Sequence, residues 1–209
     1  ITGGILFNQN FPVELMNSNL NAFIDVIPMA YKHKVKKLVY FASSCVYPKD
    51  SKGLLKISDL FKGYLEETNL HYAISKLSGI ILCDAYNKQF NTSFIPVIPS
   101  NYFGPGDDFN PKNSHLISAL INKMHDNKLK RKKNIKIWGS GKPVRDFTFL
   151  KDIADGSIHI MKNYKGKEPL NLTSGLIYSV KEVAYLVKKI TSYEGDIIFD
   201  KSKKDGMKV

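Results

Sequence analysis

A short apolar run, a long helical pattern and a second apolar run follow one another between residues 37 and 98, and this unit constrains the chain more than any other feature. Lys37-Leu-Val-Tyr-Phe-Ala-Ser43 is short and almost wholly apolar, which predicts a buried strand. Thr68 to Phe90 carries Ala73, Leu77, Ile80, Ile81, Ala85 and Phe90 at helical spacing. Phe94-Ile-Pro-Val-Ile98 is a second buried strand. A long helix between two buried strands predicts parallel pairing, because a parallel connection has to cross the sheet. The fold class that follows is α/β.

Other segments extend the alternation. Glu14 to about His33 reads as a helix with Leu15, Leu20, Phe23, Ile24 and Ile27 on one side. Pro28 should kink it or remove one hydrogen bond. His115–Lys123, Ile153–Lys162 and Val180–Ile190 read as helices, the last opened by the capping box Ser179-Val-Lys-Glu182. Ile135–Trp138 and Asp196–Phe199 read as strands. The rhythm is regular to about residue 100; glycine, proline and polar residues then cluster, so a change of lobe is expected near Asn101–Asp107. That gives a first lobe over 1–104 and a smaller α/β lobe over 105–209, some of whose segments return to the first sheet.

Composition narrows the function classes. Charged residues make up 24% and apolar residues 43% of 209, an ordinary globular balance. No apolar run is long enough to span a membrane, and two cysteines make no disulfide framework. A cytoplasmic location, with no membrane partner and no metal site, is the expectation. The net charge of +12 is carried almost entirely by lysine, with its densest run at Lys128–Lys133. Without a zinc-finger or RNA-binding motif beside it, that run reads as a solvated loop rather than a nucleic-acid site. Only two arginines occur, Arg131 and Arg145, and a planar fork in so lysine-rich a chain suggests a task lysine cannot do. The chain opens on Ile1 and ends in a charged stretch at Val209, which reads as a piece of a longer protein.

Three groups of residues carry candidate chemistry. Tyr72 and Lys76 are four apart on a helix and share a face. An ammonium beside a phenol favours the phenolate and makes tyrosine a usable proton donor and acceptor. Ser43, Ser44 and Cys45 lie just past a buried strand, where open α/β sheets bind ligands. Cys45 could instead be a small buried hydrophobe. His115 could be an acid or base, or a helix-start residue facing solvent. Trp138 could stack on a base or belong to the core, and Arg145 suits bidentate phosphate contact or an ordinary salt bridge, perhaps to Asp146.

Tyr-x-x-x-Lys after a strand ending in serine resembles the extended short-chain dehydrogenase/reductases. Phe41-Ala-Ser-Ser-Cys-Val-Tyr-Pro-Lys49, Leu65–Lys76, Asn101–His115, Ile137–Phe147 and Asp200–Gly206 are similar to the GDP-L-fucose synthase family within them. The resemblance runs along essentially the whole chain. It implies a Rossmann-like doubly wound parallel sheet lacking its N-terminal strands, with the second lobe binding substrate. It implies epimerisation at C3 and C5 and NADPH-dependent reduction at C4 of a GDP-linked 4-keto-6-deoxy sugar. Ser43 would bind the substrate carbonyl, Tyr72 would donate the proton of the reduction, and Lys76 would hold the nicotinamide ribose. Cys45 and His115 would be the epimerisation acid/base pair. The NADP(H) surface would comprise Gly3, Gly4, Phe41, Ala42, Ser43, Ser44, Tyr72, Lys76, Pro99, Ser100, Asn101, Tyr102 and His115. Asn101, Lys123, Trp138, Arg145 and Asp205 would hold the GDP-sugar. A homodimer through helices 14–33 and 68–90 is also implied, with Leu82 and Tyr86 on the outer faces.

The pattern has departures. The glycine-rich dinucleotide turn is absent, Lys123 stands where the family tends to have arginine, and Phe149-Leu-Lys-Asp152 replaces a usual His-Val-Asp-Asp. The alternatives are a sibling nucleotide-sugar epimerase, 4-reductase or dehydratase, a basic nucleic-acid-binding module, and a non-catalytic scaffold.

Overall fold

The computed structural model describes residues 5–51, 53–110 and 114–203. Gly3, Gly4 and Asp205 lie outside the described residues. Helices α1 (Ile5–Asn10) and α2 (Pro12–Lys32) precede strand β1 (Leu38–Phe41). A loop with three short 3-10 turns leads to α3 (Leu70–Phe90), followed by β2 (Phe94–Pro99) and β3 (Asn101–Phe103). Helix α4 (Leu116–Leu129), strands β4 (Asn134–Trp138) and β5 (Val144–Phe149) and helix α5 (Leu150–Asn163) come next. The order closes with β6 (Leu170–Leu172), β7 (Ile177–Ser179), α6 (Val180–Thr191) and β8 (Asp196–Asp200).

The expected parallel unit is present: β1 pairs with β2 in parallel, and β2 pairs with β6 in parallel on its other edge. Every residue of the central strand β2 is buried. Its two prolines need a reason, since proline cannot donate to a ladder. Val97 turns its backbone toward β1, where its carbonyl accepts from Ala42 N. Pro96 therefore faces the β6 edge, and β6 pairing starts only at Val97. Pro99 faces β1 beyond its last partnered position, Phe41↔Val97. Each missing N–H thus points where no strand asks for it.

Helices cover both faces of this sheet. On one side Phe23, Ile27 and Ala30 of α2 pack with Cys83 of α3 and Phe94 of β2. On the other, Ile160 of α5 packs on Ile95 and Val97. This is the doubly wound arrangement of a Rossmann-like fold. Asn87, buried in α3, accepts from Phe94 N at 2.9 Å and donates to Phe94 O at 2.7 Å, holding the start of β2 to the end of its crossover helix. Asn91 then ends α3 in the left-handed conformation.

A second core lies between α4, α6, β4 and β8, built on Leu120, Met124, Ile135, Ile137, Val183, Ala184, Val187 and Tyr193. Strands β4 and β8 pair in parallel, β3 pairs with β5 in parallel, and β7 pairs antiparallel to β5. The capping box at Ser179 and Glu182 opens α6 as expected.

Helix α2 runs through Pro28 to Lys32, in line with the helix expected over 14–33. Other expectations are corrected. Helix α4 continues past Lys123 to Leu129, so the lysine run begins on its last turn and is not wholly a loop. Ile24 and Ile81 are half exposed, whereas Leu82 and Tyr86 pack against the core beside Phe94. Leu82 and Tyr86 are therefore not outer-face residues. Strands β3, β5, β6 and β7 escaped the sequence reading.

Burial has a consequence for pH. The thiol of Cys83 is pushed up to about 12 by burial alone, and that of Cys45 to about 11 with burial the largest cause. Both folded values exceed the unfolded thiol value of about 8.5. Above that pH the unfolded chain loses these protons and the folded chain keeps them, so stability falls as pH rises. Urea midpoints should be level from pH 7 to about 8 and decline through about pH 9–11. Cys83→Ala should flatten the decline; a midpoint that rises with pH would contradict this.

Candidate active site

The loop after β1 starts with Ser43, extended at φ −155° and ψ 150°, which caps the 3-10 turn Ser44–Val46. Its hydroxyl oxygen accepts from Cys45 N at 3.5 Å and from Cys45 Sγ at 3.3 Å. With both contacts made as acceptor, Ser43 keeps its own O–H proton to donate elsewhere. Cys45 is buried, and Tyr47 beside it more so. Tyr47 donates to Asn171 Oδ1 at 2.6 Å, and Asn171 donates to Leu55 O, so β6 holds the loop against the sheet.

Opposite this loop stands the first part of α3. Ala73 and Ser75 are fully buried and Ser75 Oγ donates to Tyr72 O, which fixes the helix face that turns Tyr72 and Lys76 outward. Lys76 Nζ lies 5.8 Å from the centre of the Tyr72 ring and donates to Phe41 O at 3.1 Å. Desolvation lowers the Lys76 ammonium below its usual value, with the nearby Cys45 opposing. Ser43, Cys45, Tyr72 and Lys76 thus converge at the C-terminal end of β1. Phe41 and Ser44 border them, the former exposed, while Ala42 is buried under them.

Burial outweighs the Ser43 hydrogen bond and the Lys76 charge, so Cys45 is a protonated thiol at pH 7.

The remaining candidates sit on neighbouring rims. Pro99 ends β2 and is buried; Ser100 shares a 2.6 Å hydrogen bond with Thr148 of β5. Asn101 and Tyr102 are exposed on β3, with Asn101 Nδ2 donating to Asp146 O. His115 is the exposed N-cap of α4. The segment before it is tied to α4 by Ser118, which donates to Asp107, and by Asn122, which donates to Phe109 O. Lys123 Nζ donates to Lys136 O on β4, and partial burial lowers it below its usual value. Trp138, at the end of β4, is 61% exposed, so the core reading is corrected, and Lys203 Nζ lies 5.7 Å over its ring. Arg145 donates to Val144 O, while Asp146 accepts from Thr173 and Ser174. Asp107, Ser118, Thr148, Asn171 and Tyr40, which frame these positions, were missed because their partners lie 11 to 124 residues away with no local pattern.

The residues around Lys76 fit one end of a nicotinamide dinucleotide: an ammonium, a hydroxyl donor at Ser43 and an exposed ring at Phe41. A phosphate-cradling glycine turn is not seen among the described residues. Within those residues no helix is long and apolar enough to cross a membrane, and no cluster of three or more metal-ligating side chains occurs.

Comparison with known proteins places the chain. A GDP-L-fucose synthase of Sinorhizobium fredii (strain NBRC 101917 / NGR234) is 41% identical over 204 residues, which cover 98% of this chain and 65% of that protein. One from Escherichia coli (strain K12) is 37% identical over 213 residues, covering 98% and 66%. Among solved structures, a GDP-L-fucose synthetase from Naegleria fowleri bound to NADP superposes with a TM-score of 0.89 at 31% identity, over 99% of this chain and 64% of that one. A GDP-6-OMe-4-keto-L-xylo-heptose reductase from C. jejuni gives 0.90 at 30% identity, over 98% and 70%. The chain spans just under two thirds of the length of these two curated relatives. The NAD dependent epimerase/dehydratase family model matches residues 2–173. With that match across most of its length and Ser43, Tyr72 and Lys76 gathered at the end of β1, the chain belongs to the NAD dependent epimerase/dehydratase family.

Proposed function

We propose that this chain is the greater part of an enzyme that epimerises C3 and C5 of GDP-4-keto-6-deoxy-D-mannose and reduces C4 to give GDP-L-fucose. The observation that carries the reading is the convergence of Ser43, Cys45, Tyr72 and Lys76 on one strand end. The names of the relatives at 41% and 37% identity support the substrate. NADP bound in the Naegleria structure supports the cofactor. A bound nicotinamide would supply hydride to C4.

The chain's own residues then have these tasks. Ser43 Oγ donates to the C4 carbonyl oxygen and polarises it, which makes the hydrogens at C3 and C5 acidic. Cys45 and His115 act as the acid/base pair on opposite faces of the ring, one taking the proton at C3 or C5 as the other gives one, and both regain their resting state by proton exchange with water between the two inversions. For that, His115 and Cys45 have to flank the sugar ring from opposite sides. After inversion Tyr72 Oη protonates the C4 oxygen as the alcohol forms. Lys76 holds the nicotinamide ribose and, by its charge, eases loss of the Tyr72 proton. Residues 1–104 would serve the cofactor, and 105–209 mainly the GDP-sugar, through Asn101 at the boundary with Lys123, Trp138, Arg145 and Asp205. A cytoplasmic location fits such a substrate.

One observation favours a second reading. The heptose reductase is as similar in fold as the fucose synthetase, so a 4-reductase that does not epimerise is the alternative. Product analysis of the reaction on GDP-4-keto-6-deoxy-D-mannose separates the two. Assembly is a further element of the proposal. Ile24 and Val26 of α2 and Ile81 of α3 expose apolar surface that a two-fold partner could bury in a four-helix contact. A dimer should appear in light scattering at micromolar concentration, and Ile24→Glu with Ile81→Glu should yield monomer; a wild-type monomer would count against it.

A further inference from the structure

We propose that Tyr40 is a positioning residue for Lys76, and that Gly79 is the gap which lets it reach that position. The proposal rests on Lys76 being the group that holds the nicotinamide ribose, and it adds the residue that presets it. Tyr40 is on β1, 36 residues before Lys76, and its side chain crosses to α3. Its hydroxyl donates to Lys76 O at 3.2 Å, and its ring lies 5.7 Å from Lys76 Nζ. One side chain thus holds both ends of the lysine, the backbone by a hydrogen bond and the ammonium by the negative face of the ring. Phe41 O completes the placement at 3.1 Å from Nζ.

The contact depends on a missing side chain. A Cβ at Gly79 would stand 2.2 Å from Tyr40 Cζ and 2.3 Å from its hydroxyl. A tyrosine ring cannot bend away as a lysine tip can, so any larger residue at 79 must push Tyr40 off Lys76. Phe23 of α2 meets Tyr40 edge to face, with centroids 5.7 Å apart. The chain of contact runs from α2 through Tyr40 to the lysine. A side chain of four rotatable bonds is thereby confined, so ordering it on cofactor binding costs less entropy.

The test reads Lys76 directly in the chain as it stands, without cofactor or substrate. In selectively labelled protein, the Lys76 ε-methylene protons should be shifted upfield of the other lysines and should show nuclear Overhauser contacts to the Tyr40 ring. Tyr40→Met fills the space without a ring, and Gly79→Ala displaces the ring; both should move the Lys76 signals toward those of the surface lysines. Tyr40→Phe keeps the ring and should keep most of the shift, a rescue that general loosening of the fold would not give. Absence of the wild-type contact, or a Lys76 signal unmoved in Gly79→Ala, would overturn the proposal without needing any variant to turn over substrate. At the full length of the relatives, Tyr40→Met should weaken NADPH binding about tenfold by freeing a rotamer-rich side chain. Unchanged affinity would overturn the positioning role. A wild-type protein that binds no NADPH would instead sink the functional reading, and the ring contact would still be decided by the first measurement.

Discussion

Replacing Tyr72 by phenylalanine should lower the rate of the reduction about 10²- to 10⁴-fold, the range for losing a general acid. The geometry predicts that little else changes. Tyr72 is fixed through its backbone: Ser75 Oγ donates to its carbonyl, and buried Ala73 anchors the helix face beside it. Phenylalanine leaves the ring 5.8 Å from Lys76 Nζ and removes only the proton to be given to the C4 oxygen. Cofactor affinity should therefore stay close to wild type, whereas Lys76→Met should lower affinity and rate together. The measurement is single-turnover oxidation of NADPH at the full length of the relatives. Near-normal turnover in Tyr72→Phe would show that the proton comes from elsewhere and that the site is misassigned.

Cys45→Ser should abolish proton exchange at C3 and C5 while reduction survives in part. A serine hydroxyl in that buried place can still donate to Ser43 Oγ, so the loop should keep its shape. In the proposed role Cys45 exchanges a proton through its thiol, which burial raises here to about 11. A hydroxyl is far weaker again as an acid and cannot make that transfer at neutral pH. The hydride step relies on Ser43, Tyr72 and Lys76 and remains. The variant should reduce the unepimerised ketone and release a 6-deoxy sugar with its original configuration at both carbons. His115→Asn should impair exchange from the other side. If Cys45→Ser takes up deuterium at the wild-type rate, Cys45 is a packing residue.

The parts of this account readable from sequence are those fixed by local periodicity. The β1–α3–β2 unit was legible because a buried strand is a continuous apolar run and because Tyr72 and Lys76 are spaced by one helical turn. Strands β3 and β6 were not, since three residues carry no period and each exists only through its partner, β5 or β2. The buried faces of α2 and α3 were partly misread for another reason. Both helices carry apolar residues on more than one side, so periodicity alone could not decide whether Ile24 and Ile81 or Leu82 and Tyr86 faced the core. At the site, the raised thiol of Cys45 comes chiefly from burial, which no local pattern shows, and its neighbour Tyr47 is held by a residue far along the chain. That residue is Asn171, 124 positions away. The support of Lys76 by Tyr40 was hidden in the same way: nothing in the local pattern of a strand shows which helical glycine its tyrosine will cross.

One incubation tests the central claim. The protein at the full length of its relatives is given GDP-4-keto-6-deoxy-D-mannose and NADPH in D₂O, and the product's configuration and isotope content are read by NMR. The account predicts GDP-L-fucose carrying deuterium at both C3 and C5. A GDP-6-deoxy sugar with unchanged C3 and C5 and no deuterium at either carbon would contradict it and would favour a 4-reductase that does not epimerise.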